Sequence, residues 1–360
     1  MKVLHVAKFA DDKANGVRNV VPYHVIEQTK LQPTFFQNVI NVKIPELEQY
    51  QLPFEKSGWP YNVKSPDGQA FLPDLVIFHG FYHFDMIALY KRLLKAHIPY
   101  ILVPHCALTD EAQNSKKLKK IAGNFVFFNR FVRHAAAVQC LSQWEYDHSA
   151  VKPPKFISTN GIYLPENKKV SFHAKGVSFV YIGRLDIAQK GLDLLLEAVE
   201  KVSAFLRDRH CTVSIYGPLA AEAERALRET IAGKQITDLV FLKGPVFGAE
   251  KEKALLDADV FLQTSRFEGM PMGILEAMSY GLPCLVTRGT TLGETIARYD
   301  AGWSCDTDVD AIAAQLQKAV EEKDAYPAKS AAAVRCAGSE FGWETITRNA
   351  VEMYRTYAGK

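Results

Sequence analysis

The chain has 360 residues, of which 48% are hydrophobic, 23% charged and 11% aromatic, and its formal net charge is +3. That length suits two domains of roughly 150–180 residues, each able to bury its own core, and the composition excludes disordered, collagen-like and disulfide-scaffold chains. The charge is unevenly shared: residues 1–165 hold 19 Lys and Arg against 13 Asp and Glu, whereas the remainder holds 24 against 27.

Strand-like and helix-like segments alternate from the start. KVLHVAK (2–8) reads as a strand, VRNVVPYHVIEQTK (17–30) as a helix and TFFQNVINV (34–42) as a second strand. An irregular Pro-rich stretch over 43–73 precedes the strand DLVIFHG (74–80), a helix over 84–96, the strand PYILVPH (99–105), a long helix over 110–134 and the strand AAAVQCLS (135–142). Continuous apolar strands with helices between them predict a parallel sheet covered on both faces. Between Lys152 and Gly176 the texture turns rich in Pro, Asn, Lys and Gly, the mark of a domain boundary. The alternation then resumes with strands over 177–185, 211–217, 239–246, 259–265 and 282–287, helices over 191–206, 219–232 and 249–257, and closing helices over 308–322 and 341–357. Two doubly wound α/β domains result, a fold that places ligands beyond the carboxyl ends of its strands.

Residues 265–287, SRFEGMPMGILEAMSYGLPCLVT, carry the densest chemistry. Glu268 and Glu276 bracket a helix start at Gly269-Met270-Pro271-Met272. Pro271 suits a first helical position, and the unbonded amides of a helix start hold a phosphate or another anion. An anion pocket with a carboxylate on either side suits a sugar nucleotide. Loop and helix-face acids with no ligand are the alternative.

In YIGRLDIAQKG (181–191), Arg184 and Lys190 stand just past a strand, where two cations can clamp a diphosphate and offset the charge that builds as it leaves. A solvated loop is the alternative. In the first half, Gly16 follows the first strand and opens a helix, and His105 ends a strand before a helix, where an imidazole can donate to a sugar hydroxyl or a developing oxyanion. Each also fits a plain strand–helix turn. Lys116, Lys117, Lys119, Lys120, Arg130 and Arg133 account for the basic excess of the first half; together with Phe125, Phe127, Phe128 and Phe131 they give 115–134 the make-up of a helix lying on an anionic membrane surface. A helix with its phenylalanines packed inward fits equally.

The chain contains no GxGxxG, P-loop, HExxH or GxSxG motif. The acids around Asp257 and Asp306 read as strand-end and helix-cap residues, so no metal ligand is assigned. The six cysteines form no CxxC pair and read as reduced and structural. No apolar run reaches the roughly 18 residues that span a bilayer, and a cytoplasmic location is expected.

IYGP, LKGPV, ADVFLQTSRFEGMPMGILEAMSYGLPCLVT and FGWETI follow, in order, the pattern of GT-B fold retaining glycosyltransferases of family 4, which the second half of the chain resembles throughout. The first half resembles them through NGV, PHCAL and its strand–helix rhythm. The resemblance implies two Rossmann-like domains: 1–165 binding the acceptor and 166–340 the nucleotide-sugar donor, with the active site in the cleft between them and a last helix, 341–360, crossing back to the first. It implies that Glu276 holds the ribose hydroxyls, that Glu268 lies beside the donor sugar, and that Gly269, Met270, Pro271 and Met272 offer amides to sugar and diphosphate. Arg184 and Lys190 match the diphosphate clamp, Val246 the contact with the base, Gly16 the loop facing the diphosphate, and His105 the histidine near the donor sugar. The chain departs from the family pattern at Asn15-Gly16, where paired glycines are usual, at Cys106, where glycine is common, and in the six-residue separation of Arg184 and Lys190.

The expected activity is metal-independent transfer of a sugar, with retention, from a UDP- or GDP-linked donor to a glycan or lipid-linked hydroxyl acceptor in bacterial cell-surface polysaccharide or glycolipid synthesis. No cofactor and no nucleic acid partner are expected, and 115–134 would contact the inner face of the membrane. A nucleotide-sugar epimerase or sugar phosphorylase on the same fold, or a non-catalytic nucleotide-sugar-binding protein, are the competing functions.

Overall fold

Six strands, β1 (Val3–Ala7), β2 (Thr34–Asn38), β3 (Leu75–His79), β4 (Tyr100–Val103), β5 (Ala137–Cys140) and β6 (Lys155–Ile157), form a parallel sheet in the order β2-β1-β3-β4-β5-β6. The structure is a computed structural model that describes residues 1–12, 15–114, 120 and 123–359. Every residue of β1, β3, β4 and β5 is buried, as their largely apolar runs require of a sheet with both faces covered. The helix Gly16–Thr29 begins at Asn15, whose side chain accepts from the amides of Val17 and Arg18, and the helix Gln143–His148 begins at Ser142, whose hydroxyl accepts from the Glu145 amide.

The last helix, Trp343–Ala358, belongs with this sheet: the compact unit comprises Met1–Gly161 together with Trp343–Lys360. Tyr354 donates its hydroxyl to Gln139 Oε1 on β5 at 2.8 Å, and Tyr357 stacks on Phe156 of β6 with ring centres 5.4 Å apart.

The second unit, Ile162–Gly342, has its own parallel sheet of β7 (Ser178–Ile182), β8 (Thr212–Tyr216), β9 (Val240–Gly244), β10 (Val260–Gln263), β11 (Cys284–Thr287) and β12 (Gly302–Cys305). Its order, β12-β11-β10-β7-β8-β9, runs outward in both directions from the β7–β10 pair. That pair is the topological switch point, where chains leave neighbouring strands toward opposite sides and open a crevice at their carboxyl ends. In the first unit β1, flanked by β2 and β3, holds the corresponding place.

Several elements escape the sequence patterns. β6 is three residues long and β12 reads GWSC, so neither shows an apolar run. The helix Tyr326–Phe341 hides its periodicity in small residues; Ala332, Ala333, Cys336 and Ala337 are buried in the same core as Ile274, Ala277 and Met278 of the helix Met272–Ser279. The single helix expected over 110–134 is replaced, in the described residues, by an α-helix at Asp110–Asn114, a π-helix at Asn124–Phe128 and an α-helix at Asn129–Arg133. Residues 115–119, 121 and 122, with Lys116, Lys117 and Lys119 among them, lie outside the described residues. The four phenylalanines there divide: Phe128 and Phe131 are buried, while Phe125 and Phe127 are 84% and 40% exposed.

Candidate active site

At the carboxyl end of β7 the chain is folded back onto the end of β10. Asp186 caps the short helix Ile187–Lys190 by accepting from the Gln189 amide, and the helix ends at Gly191 with φ +62°. A Cβ at Gly191 would lie 2.1 Å from the Thr264 carbonyl oxygen, so glycine is what lets the two loops touch. Thr264 Oγ1 donates to the carbonyl of Lys190 or Gly191 (3.2 and 3.0 Å), and the Arg266 amide donates to the Gln189 carbonyl at 2.8 Å. The Arg266 guanidinium grips both oxygens of Asp193 at 2.7 Å and holds that carboxyl below the usual carboxylate range. Gln189 and Arg266 thus lock the Arg184–Lys190 loop beside Glu268.

Three donors converge on one oxygen of Glu268. Lys190 Nζ lies 2.5 Å, Ser265 Oγ 2.6 Å and Gln263 Nε2 2.9 Å from its Oε1. The carboxylate is buried, and its other oxygen, Oε2, makes no hydrogen bond among the described residues. The arrangement fixes the carboxylate plane and leaves one acceptor for a ligand hydroxyl. Burial first, and the neighbouring Glu268 charge next, push the Tyr181 phenol up, and its hydroxyl donates to the Arg184 carbonyl at 3.0 Å. The Arg184 side chain is exposed and reaches Gln189 Oε1 at 3.0 Å.

Gly269 and Met270 lead to the helix Met272–Ser279, and Pro271 stands at its cap rather than at its first helical position. No side chain caps this helix start, which leaves early amides available to an anion. Within the helix, Glu276 pairs with Lys251 from the helix Gly248–Asp257. Val246, after β9, is half-buried against the core that also contains Ile274 and Met278. Lys190, Glu268, Gly269, Met270, Pro271 and Met272 are therefore contiguous, with Arg184 on the Lys190 loop, Glu276 one helical turn away and Val246 on the same core.

Gly16 and His105 belong to the first unit. Gly16 opens its helix in space where an added Cβ would meet nothing within 4 Å, and Asn15 already occupies the Val17 and Arg18 amides at 2.9 and 3.3 Å. Buried Arg18 pairs with Asp11 at 2.6 Å and Glu46 at 2.7 Å, tying this loop down. His105 and Cys106 follow β4 with φ +50° and +65°, a left-handed pair without glycine. Glu145 secures it by accepting from the Cys106 amide at 2.5 Å and the Leu141 amide at 2.7 Å; burial raises the Glu145 pKa. His105 Nε2 lies 3.3 Å from His79 Nδ1, and burial lowers the His105 pKa to about 3.

Gln263, Ser265, Lys251 and Glu145 were not legible as site residues from the sequence. A signal for the first two existed: they are polar residues two apart on one face at the end of the otherwise apolar DVFLQTS. Lys251 and Glu145 have none, because their partners are distant in the chain.

Residues 176–322 match the family model for Glycosyl transferases group 1, a range that includes every candidate of the second unit. Among curated relatives, the putative colanic acid biosynthesis glycosyltransferase WcaL of Salmonella typhimurium is 27% identical over 217 residues, 57% of this chain and 52% of its own length. The O-antigen chain mannosyltransferase B of Escherichia coli is 33% identical over 99 residues, 27% of this chain and 25% of the relative. The chain thus spans from a quarter to about half the length of these relatives. Among solved structures, Anabaena HepE in complex with UDP superposes with a TM-score of 0.74 at 15% identity, covering 99% of this chain and 100% of HepE. Sucrose-phosphate synthase from Thermosynechococcus elongatus superposes with a TM-score of 0.74 at 14% identity, covering 100% of both chains. The fold, two Rossmann-like units with parallel sheets, is the GT-B fold.

Proposed function

We propose that this chain is a retaining, metal-independent glycosyltransferase of family 4 that moves a sugar from a nucleotide-sugar donor to a hydroxyl acceptor in cell-surface polysaccharide or glycolipid synthesis. The observation that carries the reading is the convergence of Lys190, Gln263 and Ser265 on one oxygen of Glu268, beside an uncapped helix start at the switch point of a group 1 domain. The relatives are named for colanic acid and O-antigen synthesis, and solved neighbours hold UDP and UDP-glucose, which supports a nucleotide-sugar donor, UDP- or GDP-linked.

In this reading the second unit binds the donor and the first the acceptor. Glu276 takes the ribose hydroxyls, exchanging its contact with Lys251 for them, and the chain near Val246 meets the base. The diphosphate lies on the amides at the start of the Met272–Ser279 helix, clamped by Arg184 and Lys190. Glu268 Oε2 accepts a donor-sugar hydroxyl. The acceptor oxygen forms its bond to the anomeric carbon on the face from which the diphosphate oxygen departs, and the acceptor proton passes to that leaving oxygen. Arg184 and Lys190 stabilise the charge that develops there.

Incubation with UDP-linked and GDP-linked hexoses should release the nucleoside diphosphate, yield a product with unchanged anomeric configuration when a hydroxyl acceptor is present, and continue in EDTA. Release that requires inorganic phosphate, or epimerised donor without acceptor, replaces this reading by one of its rivals on the same fold. Binding of UDP with no release from any donor reduces it to a nucleotide-sugar-binding protein.

We assign the segment 115–134, from its sequence and from the described residues 123–134, a peripheral contact with anionic lipid at the inner membrane face. Phe84, Phe125, Val126 and Phe127 are exposed together, with Phe84 and Phe127 ring centres 5.5 Å apart, next to Arg130 and Arg133. Among the described residues no helix is long and apolar enough to cross a membrane.

A further inference from the structure

The polar centre of the first unit is a row of histidines. His5 on β1, His79 at the end of β3 and His105 after β4 are joined ring to ring: His5 Nδ1 lies 2.8 Å from His79 Nε2, and His79 Nδ1 lies 3.3 Å from His105 Nε2. At the far end His5 Nε2 meets Gln28 Oε1 at 2.9 Å. Gln28 and His24 are four apart on one face of the Gly16–Thr29 helix, and His24 stands aside, bonded through Nε2 to Asn160 Oδ1 at 3.0 Å and edge-on to Trp343.

Burial lowers the His5 and His105 pKa values to about 3 and that of His79 well below its ordinary value, so the three rings are neutral in the working range. A neutral imidazole carries one N–H and one lone pair. Each ring-to-ring bond needs one of each, so the row has only two proton arrangements, one the reverse of the other. Whichever group ends the row selects between them.

The far end has a fixed polarity. Gln139 Nε2 donates to the Ser158 backbone carbonyl at 2.9 Å, an acceptor that cannot turn round. Gln139 therefore presents Oε1 to Tyr354, which donates its only hydroxyl proton there at 2.8 Å. Burial pushes the Tyr354 phenol up, and the Gln28 amide pulls it partly back. The Gln28 amide places Oε1 toward His5 Nε2 at 2.9 Å, and its Nε2 reaches no partner at hydrogen-bond length among the described residues. With Gln28 Oε1 toward His5, His5 carries its proton on Nε2, and so in turn do His79 and His105. His105 Nδ1 makes no hydrogen bond among the described residues, and the residue is half-buried.

We propose that Gln28, His5 and His79 are positioning residues that hold His105 in the Nε2–H tautomer, so that its Nδ1 offers a lone pair to a ligand hydroxyl. The role of that lone pair rests on the proposed glycosyltransferase activity; the tautomer does not. An acceptor at this point selects ligands that present a hydroxyl there and disfavours those that present only an acceptor.

The tautomer is read directly by side-chain nitrogen NMR on the 15N-histidine-labelled full chain, free of ligand and near neutral pH, with His105 assigned by loss of its signals in His105→Gln. The expected result is a bare Nδ1 and a protonated Nε2; a protonated Nδ1, an imidazolium or an even mixture overturns the proposal. His79→Phe, which keeps a ring but breaks both links, should scramble the His105 tautomer and lower kcat about tenfold, the worth of one hydrogen bond, with KM for the donor and the Kd of UDP unchanged. Gln28→Leu, which retains all three rings, should change both in the same direction by less. Donors with one hydroxyl at a time replaced by fluorine separate the two layers: one of them should be penalised in the wild type and not in His79→Phe. An Nε2–H His105 with no fluorinated donor penalised overturns the lone-pair role while leaving the tautomer standing, and absence of transfer from every intact donor sinks the glycosyltransferase reading instead.

Discussion

The two sheets gather polar residues at the same topological place and fill it with opposite chemistry. At the β7–β10 switch point the second unit sets a buried carboxylate against a lysine, with Gln263 and Ser265 completing its shell. At the β1–β3 pair the first unit sets uncharged imidazoles in a row. A pocket for a diphosphate must carry charge that a ligand can exchange for its own, and a Lys–Glu pair is such a reserve. A row of neutral rings carries no charge to exchange and instead transmits orientation. The largest expected effects therefore belong to the charged site.

Lys190→Ala should lower kcat by about a hundredfold to a thousandfold, the range for removing one preorganised group that meets developing charge. Ser265 and Gln263 still bond Glu268 in the variant, but its buried carboxylate loses the lysine charge, so the melting temperature should fall as well and kcat is compared well below it. Glu276→Ala should separate from it by weakening UDP binding about tenfold to a hundredfold, the loss of charged hydrogen bonds, with kcat nearly kept. Isothermal titration with UDP beside steady-state kinetics distinguishes the two. Near-normal turnover in Lys190→Ala would remove the charge reserve from the account.

Acid should break the other region first. Burial lowers the His5 and His24 pKa values from their ordinary 6.5 to about 3 and about 4, so between those values the unfolded chain binds more protons than the folded one. Their contribution to stability is complete above the unfolded value and is lost as pH falls toward the folded ones, at up to about 1.4 kcal/mol per pH unit for each ring. Hydrogen exchange followed peptide by peptide should show β1, β3 and the Gly16–Thr29 helix losing protection between pH 6.5 and 4 before β7 and β10 do. Simultaneous loss in both sheets would show that the histidines do not set acid stability.

The same contrast explains what the sequence made legible. The donor-side candidates fall in two short stretches, 181–191 and 265–287, because a switch point takes its residues from the two loops that follow adjacent strands, and a loop is contiguous in sequence. Lys190 and Glu268 were therefore recognisable before their contact was seen. The histidine row takes His5 from the middle of β1, His79 from the end of β3 and His105 from the turn after β4, and its terminus from a helix, so no window contains two of its members. The signal present was a polar ring inside an apolar strand, at His5 in KVLHVAK and His79 in DLVIFHG, which demands a buried partner without naming it. β12 and the Tyr326–Phe341 helix were missed for a different reason: their packing rests on glycine, alanine and serine, whose small side chains register weakly in any hydrophobic pattern.

The smallest effect is expected at the surface of the first unit, where the comparison turns on exposure. The π-helix at Asn124–Phe128 shifts the side-chain period so that Phe128 packs on Phe81 while Phe125 and Phe127 point outward. A buried phenylalanine in this segment is core, and an exposed one beside Arg130 and Arg133 is free to enter a lipid surface. Phe125→Ser should therefore weaken co-sedimentation with vesicles containing phosphatidylglycerol by about tenfold, the partial loss of one aromatic side chain's apolar burial. Because Phe125 is 84% exposed, the same change should leave the melting temperature and the turnover of a soluble acceptor unaltered. Replacing Lys116, Lys117, Lys119 and Lys120 with Gln should remove the dependence of binding on lipid charge and on salt, since screening acts on the cations and not on the rings. Unchanged binding in both variants would return this surface to solvent.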